Sequence, residues 1–226
     1  MRGLVALLLM LLPTLAWPGA WPREAGRVFL SASATARSDR ASIGAAGFPQ
    51  EIFAAFYLEY GLTPKITVGL DASHDDKGDF TALAFMRRPI GRGENGHVFA
   101  LKAGAGTTRT GSTTQSLVMA GFDWGRGFET GLGNGWLSLE TGLYYRTGQG
   151  DLAAKADLTL GLKPSDRTKL MLQVQAGQYP GGDAYLRLVP SVALQIREGA
   201  HVELGLAAGL AGDDRLGVKF GTWLEF

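Results

Sequence analysis

The chain has 226 residues, with 22 basic side chains, 21 acidic side chains and no cysteine. A formal net charge of +1 argues against a nucleic-acid binder, and the lack of cysteine excludes disulfides and lipoprotein acylation. Mean hydropathy is only +0.04 although 46% of the residues are apolar, because apolar and polar residues are interleaved. That pattern fits membrane-spanning strands in which every second residue faces lipid.

The first 20 residues have the features of an export signal. Met1-Arg2 is a short basic start, and residues 4–12 are almost entirely leucine and other apolar residues. An apolar stretch of about 9–13 residues is too short for a membrane helix of about 20. We therefore expect a signal peptide that is cleaved after Ala16 or after Ala20; the alternative is an uncleaved anchor.

The remainder, residues 21–226, is predicted to be a single domain made of strands. Each strand has about 9–11 residues between turn signals, the length that a tilted strand needs to cross a bilayer. An even number of strands fits a single-chain bacterial barrel with both termini in the periplasm. Twelve strands are predicted, at residues 26–36, 50–61, 65–74, 80–89, 97–108, 114–125, 136–147, 152–163, 168–179, 184–197, 201–211 and 215–226.

Most of these strands alternate between an apolar face and a polar face, and their charges lie on the polar face. Turning that face inward avoids a cost of about 2–4 kcal/mol for each Arg or Lys at the bilayer midplane. Strand 80–89 is the exception, because Leu83 and Phe85 oppose a second apolar face. This predicts either inward packing against an internal element or a different register. Pro190, on an outward position, predicts a β-bulge.

The C-terminal tail alternates up to its last residue. Lys219, Gly221, Trp223 and Glu225 share one face, and the outward face carries Val218, Phe220, Thr222, Leu224 and Phe226. The tail resembles the C-terminal aromatic insertion signal of Gram-negative outer-membrane β-barrels. The alternative is the edge strand of a soluble sandwich.

This resemblance implies a fold, a location and partners. The expected fold is an all-β, transmembrane, antiparallel up-and-down β-barrel of about 12 strands in the bacterial outer membrane. The expected partners are the barrel assembly machinery, periplasmic chaperones, outer-membrane lipid and lipopolysaccharide. Deleting Phe226, or placing Asp at Phe220 and Leu224, is expected to block insertion, because Asp would put charge on the lipid face.

Aromatic residues fall near the predicted strand ends, as in the aromatic girdles of membrane barrels. Phe80 and Tyr145 are expected near the outer boundary. The parity of Trp136 places it on the inward face instead. The group expected near the periplasmic boundary is Tyr60, Phe99, Phe122, Trp124, Trp136 and Phe226.

The predicted lumen carries charges of both signs. The candidates for solute selectivity are Arg146, Lys155, Arg187 and Lys219 in the outer half, facing Asp71 and Asp157 near mid-depth. A lumen rich in bases would favour anions. The alternative is that these bases only pair with lumen acids. Twelve strands make a barrel wider than the eight-stranded size that side chains fill, so an open conduit and a plugged scaffold both remain predictions.

Signals for catalysis are thin. No Gly-x-Ser-x-Gly motif occurs, and Ser73 lies on the opposite strand face from His74 at the predicted outer rim. His97 and His201 are expected to be solvated at periplasmic strand starts. Rim carboxylates could bind Ca²⁺ but are expected to be only solvated: Asp75, Asp76, Asp79, Asp213 and Asp214. No catalytic residue, cofactor or resident metal is assigned.

The function predicted from the sequence is a small passive pore for small polar solutes. The alternatives are an outer-membrane lipid-modifying enzyme with a rim site near His74, and a closed structural barrel.

Overall fold

The computed structural model describes residues 19–43, 49–148, 150–178 and 183–226. The predicted signal peptide lies largely outside these residues, so its cleavage stays a prediction. Within the described part of the chain, no helix is long and apolar enough to cross a membrane. Two short 3₁₀ turns, Arg40–Ser42 and Glu94–Gly96, lie in connections between strands.

Twelve strands form one closed antiparallel barrel, in which each strand pairs with its neighbours in sequence and the first pairs with the last. The predicted fold class and strand number are therefore confirmed. The strands are β1 (Val28–Asp39), β2 (Glu51–Thr63), β3 (Ile66–Asp75), β4 (Phe80–Arg92), β5 (His97–Thr110), β6 (Thr113–Thr130), β7 (Gly133–Arg146), β8 (Asp151–Ser165), β9 (Thr168–Gln178), β10 (Ala184–Arg197), β11 (Ala200–Ala211) and β12 (Arg215–Glu225).

The largest boundary error concerns the hairpin between β6 and β7. The sequence predicts a connection at residues 126–135, but the two strands continue pairing to Thr130 and Gly133. The glycines of this stretch resemble a loop, yet they make room for neighbouring side chains. A Cβ at Gly135 would lie 2.3 Å from the ring of Phe128, its partner across the hairpin.

The dyad alternation gives the barrel an apolar outer belt and a mixed interior. The outward positions are apolar and exposed to the surroundings, including Ile52, Leu70, Met86, Leu101, Val118, Leu143, Leu160, Leu204 and Phe220. Inward positions of the same strands carry most of the buried charged residues, including Glu51, Glu59, Arg87, Asp123, Lys169 and Glu203. Charge is thereby kept off the face that meets lipid.

The inward apolar residues of β4 pack inside the barrel. Leu83 and Phe85 are buried together with Leu117 and Met119 of β6, so the predicted register was right and the inward side packs against other lumen residues.

The bulge predicted at Pro190 is wrong. The pairs Leu188–Ala208 and Ser191–Gly205 keep one register on both sides of the proline. The two register shifts of this pairing lie elsewhere, between Leu186 and Arg187 and between Gln195 and Arg197. Proline removes a hydrogen-bond donor but requires no extra residue, so the strand passes it without a shift.

The barrel closes between its first and last strands. Eleven residue pairs join β1 to β12, from Phe29–Glu225 to Asp39–Arg215. At the end where β1 begins and β12 ends, the Val28 and Phe226 backbones exchange N–H···O bonds of 2.7 and 3.1 Å. We refer to this end as periplasmic, following single-chain barrels with an even number of strands.

Candidate functional site: the barrel lumen

A chain segment enters the lumen from the periplasmic end. Residues 19–27, the inserted segment, precede β1 and pass along the inner wall, where Ala20 is fully buried and Arg23 is 6% exposed. A Cβ at Gly125 would lie 2.4 Å from the Trp21 ring, and a Cβ at Gly61 would lie 1.9 Å from the Glu24 carbonyl oxygen. The two glycines leave the space that the inserted segment fills.

Arg23 is the anchor of the inserted segment. Its Nε donates to Glu59 Oε2 at 2.6 Å, and its backbone N–H donates to Thr67 Oγ1 at 3.0 Å. Its guanidinium carbon lies 4.6 Å from the centre of the Phe29 ring. Arg87 adds a hydrogen bond of 3.3 Å to the Trp21 carbonyl oxygen. A buried carboxylate and an aromatic face therefore hold the guanidinium, while the Thr67 hydroxyl holds the backbone of the same residue.

Arg23 is the first member of a row of alternating charges across β2, β4, β5, β6 and β7. Glu59 is 2.5 Å from Arg87, which is 3.8 Å from Asp123. Lys102 then lies 3.4 Å from Asp123 and 3.8 Å from Glu140. These side chains are largely buried, so each charge depends on its neighbours rather than on water.

Apolar side chains complete the filling of the periplasmic half. One buried cluster joins residues from strands on opposite sides of the ring, with Trp21 and Tyr57 packed against it. Its members are Phe29, Trp136, Met171, Ala193 and Trp223. Because β1 and β7 face each other across a twelve-stranded barrel, this cluster and Trp21 of the inserted segment together narrow the lumen at this level.

The outer half of the lumen is polar and accessible to solvent. Lys155 faces inward with 40% of its side chain exposed, and its Nζ lies 2.9 Å from Asp157. Gln175 donates to Gln173 at 2.7 Å, and Gln173 donates to Thr159 at 3.3 Å. Other inward and only half-buried residues are Ser31, Ser33, Thr35, Asp71 and Ser191. Exposure of inward side chains means that this half holds space for water.

The six selectivity candidates all face this outer half or its rim. Each of the four bases has a carboxylate partner: Arg146 lies 3.0 Å from Asp151, Lys155 pairs with Asp157, Arg187 pairs with Asp213, and Lys219 lies 2.9 Å from Glu203. This arrangement fits the alternative that the bases pair with lumen acids. A role in selectivity stays a prediction.

An ion-pair network ties the outer rim across the seam of the barrel. Glu51 of β2 pairs with Arg37 of β1 and Arg215 of β12, and Asp213 pairs with Arg215 and Arg187. Burial of Asp213 opposes its ionisation, but hydrogen bonds from Arg215 and Arg187 outweigh it and hold the pKa of Asp213 at about 2.

The histidines differ in their surroundings. His74 faces outward at the rim of a surface depression of about 600 Å³, with Nδ1 3.1 Å from the Asp79 carbonyl oxygen, while Ser73 lies on the inward face. The expectation that His97 and His201 are merely solvated is wrong. Trp124 donates to His97 at 2.9 Å, and inward parity buries His201 beside Trp223.

The rim carboxylates form no metal site. Asp75 accepts backbone bonds from Lys77 and Asp79, and Asp213 is committed to two arginines. Over the described ranges, no group of three or more His, Asp or Glu residues could hold a metal ion.

Trp136 is the one residue of the aromatic group that lies on the inward face, as its parity indicated, and the position of the others relative to a membrane boundary stays a prediction. Phe99 and Phe122 stack on the outer surface, with ring centres 6.1 Å apart, and His97 stacks on Trp124 beside them. Trp136 is buried inside the lumen instead, where it fills space against Gly161.

The sequence analysis missed the inserted segment and its arginine. Arg23 precedes the first predicted strand, so no alternation assigns it a face. The sequence did contain one indication that part of the lumen is filled. Leu83 and Phe85 are apolar residues on an inward face, where a water-filled lumen would favour polar ones.

The fold is similar to solved outer-membrane barrels at very low sequence identity. An outer-membrane channel from Pseudomonas putida F1 matches with a TM-score of 0.60 and 9% identity, over 90% of this chain and 96% of that one. The NanC porin matches with a TM-score of 0.54 and 9% identity, over 86% and 98%. An active-site mutant of outer membrane phospholipase A from Escherichia coli matches with a TM-score of 0.51 and 13% identity, over 91% of each chain.

By sequence, no family model and no curated protein matches the chain. The structural likenesses show the fold alone, since channels and a phospholipase share it. Together with the apolar outer belt, they show that the chain has the fold of bacterial outer-membrane β-barrels, and they identify no subfamily.

Proposed function

We propose that the barrel is a passive channel for small polar solutes, with a solvent-filled vestibule in its outer half. The observation that carries this proposal is Lys155, an inward-facing lysine whose side chain is 40% exposed inside the barrel. Burying a charge inside a closed barrel carries a desolvation cost that pairing does not always repay, so a structural barrel has no need of a lysine at this position. Water around it is what a solute path requires.

The wall around Lys155 supports the same function. Gln173, Gln175 and Ser191 line β9 and β10 with neutral donors and acceptors. Such groups can exchange hydrogen bonds with a passing polar solute at little net cost, because water and solute offer equivalent partners. The cluster around Trp136 forms the constriction of this path.

Conductance across a planar bilayer tests the proposal. The purified, folded protein is expected to give discrete current steps, and Trp136→Ala is expected to enlarge them because it removes a ring from the constriction. Heat-modifiable migration on gels checks that both proteins are folded. Silent bilayers for both folded proteins, and for folded variants of the segment before β1, would overturn the channel function and favour a closed structural barrel.

A further inference from the structure

We propose that the inserted segment is a displaceable plug, and that its Arg23 occupies a lumen site for solutes that carry a guanidinium or ammonium group. This inference rests on the channel function proposed above. It adds the chemical class of solute and the part of the chain that competes with it.

The groups around Arg23 are those that recognise a free cation. Glu59 supplies a charge-assisted hydrogen bond to the guanidinium, and Phe29 supplies an aromatic face at 4.6 Å from the guanidinium carbon. A carboxylate opposite an aromatic ring is a common arrangement for binding ammonium and guanidinium groups. Arg23 reaches this site on a segment that is not part of any strand, so a solute can compete for it.

The charge row of the wall is incomplete without Arg23. It runs Glu59, Arg87, Asp123, Lys102 and Glu140, and therefore contains three carboxylates and two bases. Arg23 supplies the third positive charge. When the inserted segment leaves, the surplus carboxylate faces the lumen, and a cationic solute restores the balance.

The plugged state leaves buried polar atoms without hydrogen bonds. Both carboxylate oxygens of Asp123, and Nε and Nη1 of Arg87, have no hydrogen-bond partner within the described part of the chain. Asp123 instead meets its charged partners Lys102 and Arg87 as ion pairs at 3.4 and 3.8 Å. When the segment leaves, water reaches this row and can hydrate it.

The wall offers one position where the plug can be evicted without altering the plug itself. The three atoms nearest to a Cβ at Gly125 all belong to the Trp21 ring, at 2.4 to 3.0 Å. A leucine at this position would occupy the space of the indole. Gly125→Leu and Arg23→Gln therefore displace the same segment from opposite sides.

Single-channel recording on the full chain tests the proposal. Arg23→Gln and Gly125→Leu are expected to raise the open probability about tenfold or more, a shift of ~1.4 kcal/mol in the equilibrium. Arg27→Gln makes the same change at an exposed arginine of the same segment, and this control is expected to behave like the wild type. Arg23→Lys keeps the charge but loses the planar guanidinium, so it is expected to raise the open probability less than Arg23→Gln does.

Guanidinium chloride at millimolar concentration is the probe for the cation site. Added at the periplasmic side, it is expected to open the wild type more than an equal concentration of NaCl, and to have little effect on Arg23→Gln. Open Gly125→Leu channels are expected to prefer cations in a KCl gradient, because the unpaired carboxylate row attracts them.

A disulfide provides a second route if Gly125→Leu does not fold. The chain has no cysteine, so Arg23→Cys with Thr67→Cys introduces the only pair, at positions whose backbone nitrogen and side-chain oxygen are 3.0 Å apart. The oxidised channel is expected to stay closed and the reduced one to open.

The outcomes separate the plug from the channel function. If no folded variant conducts, the channel function fails. If the wild type and all variants conduct equally, the channel function stands and the plug is overturned. If the variants open but guanidinium acts no differently from sodium, the cation site is overturned.

Discussion

The periplasmic half and the outer half of the lumen both contain many charged side chains, but these side chains differ in their exposure to solvent. In the periplasmic half, Glu59, Arg87 and Asp123 are at most 1% exposed and are held within a row of ion pairs. In the outer half, Lys155 is paired with Asp157 and still open to solvent. The same polar-inward alternation therefore produces a closed core at one end and a vestibule at the other.

The difference arises from what fills the space between the walls. The alternation of each strand decides only which side chains point inward. The inserted segment and the aromatic residues Phe29, Trp136 and Trp223 occupy the periplasmic half, and they exclude the water that would otherwise solvate the charges. Closing a lumen of this width thus takes a chain segment in addition to wall residues.

The largest expected effect of mutation is on stability. Glu59→Gln should lower the free energy of unfolding by about 3–5 kcal/mol, because it leaves Arg87 and Arg23 buried without their shared carboxylate. The matched change in the outer half, Asp71→Asn, should cost less than about 1 kcal/mol, because its surroundings are solvated. Urea unfolding in lipid vesicles, followed by tryptophan fluorescence, measures both; equal losses would contradict the contrast between the halves.

A smaller effect is expected on ion selectivity. In an open background such as Gly125→Leu, Lys155→Glu should shift the reversal potential toward cations more than Arg187→Glu and Lys219→Glu do per charge. All three bases are paired with a carboxylate, but the Lys155 side chain is 40% exposed, whereas those of Arg187 and Lys219 are 20% and 22% exposed. Exposed charge acts on ions within about 8 Å at physiological salt.

The selectivity measurement also decides the anion hypothesis based on the sequence. A large shift for the Arg187→Glu, Lys219→Glu pair would support a basic lumen that favours anions. Unchanged reversal potentials at normal conductance would show that these two residues only pair with Asp213 and Glu203.

The barrel could be predicted from the sequence because its evidence is local. A strand such as β8 carries its own alternation, with Lys155 and Asp157 on one face and Leu158 and Leu160 on the other. Turn residues then set the strand ends to within a few positions. The position of the hairpin after Thr130 was predicted wrongly, because a glycine can indicate either a turn or a wall position that leaves space for a neighbouring ring.

The candidate site could not be predicted in the same way, because it depends on which distant residues meet. Arg23 and Glu59 are 36 residues apart, and no periodicity links a segment before β1 to the walls of β2 and β4. The alternation of β2 correctly predicted that Glu59 points inward, just as alternation did for the selectivity candidates of the outer half. Nothing in a single sequence indicates that the chain end turns back into the lumen.

The smallest expected effect is a pH dependence at the outer rim. The pKa of Asp213 is about 2, below its ordinary value of about 3.9, because hydrogen bonds from Arg215 and Arg187 outweigh the effect of burial. A lowered pKa stabilises the fold above the ordinary value, and this contribution is lost as the pH falls through about 2. Asp213→Asn should therefore destabilise the barrel at pH 7 by about 1 kcal/mol or less. The difference in unfolding free energy between Asp213→Asn and the wild type should shrink as the pH falls from about 4 to 2. The control Asp214→Asn changes an exposed carboxylate, and its unfolding free energy should equal that of the wild type throughout this range. An undiminished difference for Asp213→Asn at pH 2 would mean that packing, rather than charge, holds the rim together.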